Sequence, residues 1–235
     1  MKTKHLAAAA AMLIATPIWA DTDTESAINA PDPQPASPTI DKKLAWELGM
    51  SYNFATKNIV SSPHYAGKKL NMLGFDATAV FLLDEANAAT LRFGYAWGAA
   101  SGSMQSPGFS WNDRYRGSLF SIMPGYRFVD KVDDELSWYA GLNLGVVNSS
   151  LKLRETGTVT GLGSYENHYH GSEWGFGYSV ELGASYSLKE NMALILAYEF
   201  SGNTARPKFS DGHGATVNST QQVHHGVRVG VSLSY

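Results

Sequence analysis

Seven ionisable residues stand out by position: Glu47, Asp76, Arg92, Arg127, Glu181, Glu199 and Arg228. Each falls on the small, polar parity of a segment whose every second residue is apolar. If that parity faces an enclosed interior, the charges must pair or hold water, because an unpaired charge in a low-dielectric space is costly. Paired, they make a polar plug; exchanging partners, they make a gate for ions. Glu199 and Arg228 sit on what read as the seventh and eighth segments, and they are the first expected pair. Glu47 with Arg92 or Arg127 is the second.

The histidines are the other candidates for chemistry. Apart from His5, they are His64, His168, His170, His213, His224 and His225, all in long polar connections or at the ends of segments beside them. His168 and His170 point the same way on an extended backbone, and Glu166 is close by. No cysteine stands anywhere in the chain. That excludes a disulfide framework, a thiolate metal site and a cysteine nucleophile. The expectation is solvated histidines with no metal site and no cofactor.

These residues have to be positioned by strands. LAWELGMSYNF puts Leu44, Trp46, Leu48, Met50, Tyr52 and Phe54 on one face, with Ala45, Glu47, Gly49, Ser51 and Asn53 on the other. Such alternation is the mark of a strand between two environments. It recurs at 73–83, 91–98, 120–128, 136–146, 174–188, 192–200 and 223–235, making eight segments. Short links fall at Asp84–Asn87, Asp130–Glu135 and Lys189–Asn191, and long ones at roughly 55–70, 99–117, 152–173 and 202–222. The pattern predicts an all-β chain: an eight-stranded antiparallel up-and-down transmembrane β-barrel over residues 44–235.

A soluble barrel with its apolar face inward is the competing fold. The polar parity here carries Gly49, Gly94, Gly125, Gly141, Gly145, Gly177 and Gly230, with many serines and few charges. Small residues suit a narrow lumen, and the large aromatic-rich face suits lipid. The aromatics also band by depth. Trp46, Phe81, Phe128, Trp138, Tyr186 and Tyr235 lie near one set of strand ends. Tyr52, Phe54, Tyr95, Trp97, Trp174, Phe176, Tyr198 and Phe200 lie near the other. Two girdles around an aliphatic belt are what a bilayer imposes.

The start of the chain reads as export. MKTKHLAAAAAMLIATPIWA has a basic opening, a short apolar run and a small residue at position 20, so residues 1–20 are expected to be a cleaved signal peptide. Residues 21–43, with Pro31, Pro33, Pro35 and Pro38, read as a proline-rich periplasmic linker. Losing Lys2 and Lys4 moves the formal net charge from −3 to −5, which argues against a nucleic-acid partner.

The final strand, GVRVGVSLSY, and the pair GFGYSVELGASYSLKENMALILAYEF resemble the small eight-stranded outer-membrane β-barrel superfamily. That superfamily includes the transmembrane domain of outer membrane protein A and the attachment-invasion and opacity proteins. The resemblance covers residues 44–235 and is specific for fold rather than function. It implies a bacterial outer-membrane protein with both barrel termini periplasmic. It also implies that Leu233 and Tyr235 act as a C-terminal signal read by the barrel assembly machinery, with outer-membrane lipids and lipopolysaccharide as surroundings.

Some barrels of this size modify lipid A. That chemistry needs an activated serine or water beside a positioned histidine. HHG at 224–226 lacks the His-x-Ser arrangement expected of the deacylases, and no other Ser/His/acid set declares itself, so the chain is not expected to be an enzyme. The expected role is structural or surface-interacting, adhesin-like, through four long extracellular loops. Trp111, Tyr115 and Tyr165 are the aromatics expected to contact a host or matrix ligand. A small ion or solute channel is the alternative, and a lipid A-modifying enzyme the third.

Overall fold

The computed structural model describes residues 44–60, 68–210 and 216–235. The expected signal peptide and linker, together with His64 and His213, lie outside the described residues. Ten strands follow in order: β1 Leu44–Ala55, β2 Met72–Leu82, β3 Asn87–Ser106, β4 Phe109–Lys131, β5 Leu136–Val159, β6 Gly163–Lys189, β7 Met192–Asn203, β8 Lys208–Ser210, β9 Thr216–Asn218 and β10 Val223–Ser234.

Eight of them close a ring. Sequence neighbours pair antiparallel from β1 to β7, β7 pairs with β10, and β10 returns to β1 in an unbroken register from Ala45↔Ser234 to Ala55↔His224. Closure matters because hydrocarbon offers no partner for a free backbone N–H or C=O. The short β8 and β9 form a small extra hairpin that touches β6 through His170↔Ser210.

One end of the barrel is turned tightly. Asp84 accepts hydrogen bonds from the Ala86 N–H at 2.8 Å and the Asn87 side-chain amide at 2.7 Å. Asp133 does the same for the Glu135 and Leu136 N–H groups at 2.8 and 2.7 Å. These are Asx-type turns, in which a short carboxylate replaces backbone partners.

The other end differs from the sequence expectation. Residues 99–106, 109–117, 152–159 and 163–173 are not loops: β3, β4, β5 and β6 run straight through them as one four-stranded wall. Pro107 and Gly108 turn the first hairpin, Gly108 at φ +78°, which suits the type II arrangement of proline followed by a left-handed glycine.

The alternation never stops along these strands, but its polarity reverses. On β4, Phe120, Tyr126 and Phe128 face outward and are exposed, with Arg127 buried inside. Further up the same strand, Arg114 and Arg116 face outward, with Tyr115 and Trp111 buried inside. β5 repeats this: Leu142, Leu144 and Val146 are exposed low on the strand, then Lys152 and Arg154 outward with Leu151 and Leu153 buried. The lower part is inside-polar, as lipid requires. The upper part is inside-apolar, as water requires.

Pro124 lacks the N–H that would continue the β4–β5 ladder, and the regular register is interrupted between Ile122↔Val146 and Gly125↔Asn143. There the backbones crowd: a Cβ on Gly145 would lie 2.1 Å from the Ile122 carbonyl oxygen. Gly145→Val is therefore expected to destabilise the barrel by about 2 kcal/mol or more. Urea unfolding followed by heat-modifiable gel mobility measures it; an unchanged midpoint would show that the strands can separate there.

Candidate functional site

The seven lumenal charges form one continuous chain. Glu181 accepts from Arg127 Nη2 at 2.9 Å, and Arg127 Nη1 donates to Glu47. Glu47 also accepts from Arg228 Nη1 at 3.2 Å. Arg228 grips Asp76, its Nη2 donating to Oδ1 at 2.6 Å and its Nε to the same oxygen at 2.9 Å. Asp76 accepts from Arg92 Nη2 at 3.3 Å, and Arg92 Nη1 ends the chain 2.7 Å from Glu199 Oε2, a close ion pair without hydrogen-bond alignment.

Four carboxylates and three guanidiniums alternate, leaving the chain one charge negative. All seven are buried, Arg228 completely. The Arg127 guanidinium also lies 4.1 Å over the Tyr139 ring. Arginine suits this role because its planar fork can bind carboxylates two at a time.

The expected Glu199–Arg228 pair is not formed. The two residues are on adjacent strands, but their register partners differ by two: Gly226↔Glu199 and Arg228↔Ala197. Arg228 instead reaches across β1 to Asp76 on β2, above Gly49, which has no side chain to block it. Adjacency in the sheet misled; in a narrow lumen, distance across the bore competes with distance along the wall. Of the second set, Glu47 pairs with Arg127 and not Arg92.

Above the charges lies a cavity of about 80 Å³ lined by Ser51, Asn53, Arg92, Glu199, Asn203 and His224. The buried Asn203 Oδ1 and His224 Nε2 have no protein hydrogen-bond partner, so the space suits a few waters. It is roofed by an apolar cluster. Tyr115, Leu151, Leu153 and Tyr169 from the wall meet Ile59, Val60 and Leu70 from the β1–β2 connection, Met72 at the start of β2 and Phe209 of β8.

The three aromatics expected to contact a ligand lie on the inner parity of the wall. Trp111 and Tyr115 are buried on the inner face of the wall, their polar atoms on Asp113 at 2.6 and 3.3 Å. Tyr165 is also on the inner parity, lying over Gly157 with its hydroxyl on Glu155 at 3.3 Å. The wall's outward face is basic instead. Arg114 registers with Arg154, and Arg154 with His168; one step toward the membrane, Arg116 registers with Lys152, and Lys152 with His170. Sequence reasoning missed this surface, although R-x-R at 114–116 and K-x-R at 152–154 carry the strand period. Glu166, on the same face, holds Arg154 at 2.8 Å and His168 at 2.7 Å, and those contacts keep its carboxyl below its usual range.

His225 faces outward, stacked on Phe54 with its Nδ1 3.0 Å from the Tyr198 hydroxyl, while His224 is buried toward the cavity. Leu233 registers with Trp46 and Met192, and the Tyr235 N–H donates to the Leu44 carbonyl at 3.0 Å with its ring exposed.

Two predictions follow from this geometry. Arg228→Leu removes one of the two guanidiniums on each of the buried Asp76 and Glu47 carboxylates, leaving four carboxylates to two arginines, and should cost about 3–5 kcal/mol. Adding Asp76→Asn should recover at least about 1 kcal/mol of that loss in a urea double-mutant cycle; strict additivity would mean the pair is not coupled. The second concerns Asp113, outside the membrane belt. Burial, with Glu155 opposite it, raises its pKa to about 6. An acid with a raised folded pKa binds protons more tightly when folded, so stability should fall as pH rises from about 4 through 6. The urea midpoint should therefore be higher at pH 5 than at pH 7.5, and Asp113→Asn should remove that component.

No protein-family model matches the chain, and no curated protein sequence matches it. Its fold is similar to solved small outer-membrane barrels. Neisserial surface protein A shares 10% identity, with 82% of this chain and 97% of that chain covered and a TM-score of 0.45. The attachment invasion locus protein of Yersinia pestis shares 15%, covering 83% and 100%, with a TM-score of 0.41. OprG of Pseudomonas aeruginosa shares 11%, covering 83% and 96%, with a TM-score of 0.47. The chain's own register closes eight antiparallel strands, β1 to β7 and β10, into an up-and-down barrel.

Proposed function

We propose that this is a surface-interaction protein of the bacterial outer membrane, with its lumen serving as a structural plug. In this reading the wall projects outside the cell and the tight turns face the periplasm. The observation that carries it is the double obstruction of the bore. A network of paired charges fills the lower lumen, and an apolar cluster covers the upper one. An eight-stranded barrel is only just wide enough for its own side chains, which leaves the outer wall as the part free to act. The interaction surface is the wall's outward basic face, and Leu233 of β10 with Tyr235 just after it forms the end offered to the assembly machinery.

The test has two arms on the refolded full barrel. In planar bilayers the wild-type protein should show no unitary conductance; a steady channel current would make the lumen the working part. In solution, a fluorescent heparin oligosaccharide serves as a generic polyanion probe. It should bind the wild type and be lost when residues 101–116 and 152–170 are replaced by short turns. Equal binding by both folded barrels would sink the wall reading.

A further inference from the structure

The lumenal ion chain has two ends, and the register brings them together. Glu47 takes guanidiniums from Arg127 and Arg228, and Asp76 takes them from Arg228 and Arg92. Glu181 and Glu199 end the chain with one each, Arg127 and Arg92. These two carboxylates are register partners, Glu181↔Glu199, on the adjacent strands β6 and β7, and both are buried. Cβ atoms of directly opposed residues stand about 5 Å apart, and like charges so placed repel. The seven groups therefore follow a ring of alternating charge that is one cation short. The gap falls between Glu181 and Glu199.

Glu199 is the member of that pair that lines the cavity above the network. Ser201 and Asn203 follow it on the same parity of β7, each step rising about 6.6 Å, and both line the same space. Ser51 of β1 and Ser121 of β4 line it too. Glycine keeps the space open beside these hydroxyls: a Cβ on Gly74 would lie 2.6 Å from Ser51 Oγ, and one on Gly94 2.6 Å from Ser121 Oγ. Asn203 is 2% exposed, and its Oδ1 has no protein hydrogen-bond partner. Glu199 Oε2 has the misaligned Arg92 Nη1 and no hydrogen bond. A carboxylate, an amide oxygen and hydroxyls are the donor set of a hard cation. His224 also lines the cavity, but its Nε2 has no protein acceptor, so an imidazolium there would bury an unsatisfied N–H.

We propose that this cavity holds one alkali-metal cation, sodium or potassium, with Glu199 as its charged ligand. Ser201 stands next along the strand, and Asn203 Oδ1 takes the ion or one of its waters. The 80 Å³ space has room for an ion with a few waters. One positive charge makes the seven-membered network neutral. A divalent ion would leave it one charge positive, with a burial penalty of the opposite sign. The ion is a fixed part of the plug, since paired charges lie below it and the apolar cluster covers it from above. The site is independent of what the outer wall binds.

Cation linkage in the refolded full chain tests it. Urea unfolding is followed in sodium, potassium, calcium and N-methylglucamine chlorides at one ionic strength, the last cation being too bulky for the cavity. A site filled only in the folded state makes each tenfold rise in sodium, above saturation, favour folding about tenfold. N-methylglucamine should give no such gain. Glu199→Gln neutralises the network without an ion and should lose the sodium dependence, with heat-modifiable mobility confirming that it folds. Equal midpoints in sodium, potassium and N-methylglucamine, or full sodium dependence in Glu199→Gln, overturn the proposal. So does a larger gain from calcium. A midpoint that ignores sodium and tracks pH also overturns it, because a proton on Glu181, Glu199 or His224 then supplies the charge. If Glu199→Gln does not fold, anomalous diffraction from wild-type crystals grown in rubidium chloride decides. A peak beside Glu199 supports the site, and a cavity without one overturns it.

Discussion

A strand in hydrocarbon has no water to hydrogen-bond, and that one constraint organises the molecule. Every barrel strand must be paired on both edges, so β10 has to come back to β1 and does so over eleven consecutive register pairs. Closure with eight strands then leaves a bore so narrow that side chains meet across it. The glycine- and serine-rich inward face makes room, and the few charges within it are forced together. The ion network is thus a consequence of the ring, and it supports the ring in turn by tying strands that share no edge. Arg127 on β4 holds Glu47 on β1 and Glu181 on β6.

Beyond the membrane the same constraint is relaxed, and the chain uses the freedom. Four of the eight strands continue as an unclosed wall, its β6 edge meeting β8 at His170↔Ser210, while the others stop. In water an open sheet needs one buried face, and the wall obtains it by reversing the polarity of its alternation. The β1–β2 connection and β8 fold back over the inner face, so Ile59, Leu70 and Phe209 are buried as in a small soluble core. That core closes the bore from above. Outside, the reversed pattern leaves arginine and lysine where phenylalanine and tyrosine stood a few residues earlier.

The two halves make different demands on arginine. In the lumen, Arg228 is wholly enclosed and matched by Asp76 and Glu47, since an unmatched guanidinium there would be prohibitive. On the wall, Arg116 is solvated and can stay without a protein partner at little cost. A buried, fully engaged cation is spent on the fold. An exposed one on the wall is available to a ligand.

What the sequence determined by itself was the period. Eight runs of alternating residues, their short links and the two bands of aromatics specify the ring, because a strand between lipid and lumen has to alternate. The seven lumenal charges were legible on the same ground: their parity placed them inside. Their partners were not, because register and curvature bring Arg228 to Asp76 across β1 while Glu199, on the neighbouring strand, sits two pairs out of step. Nor was the wall. SGSMQSPGFSWNDRYR and TGTVTGLGSYENHYHGSEW read as loops because their apolar positions change parity and thin out. Only the paired strands decide that Trp111 and Tyr115 turn inward under the folded-back connections and that Arg116 and Lys152 turn outward. The alternation of a strand is local and is written in the chain. Which face is wet depends on what packs against it, and that exists only in three dimensions.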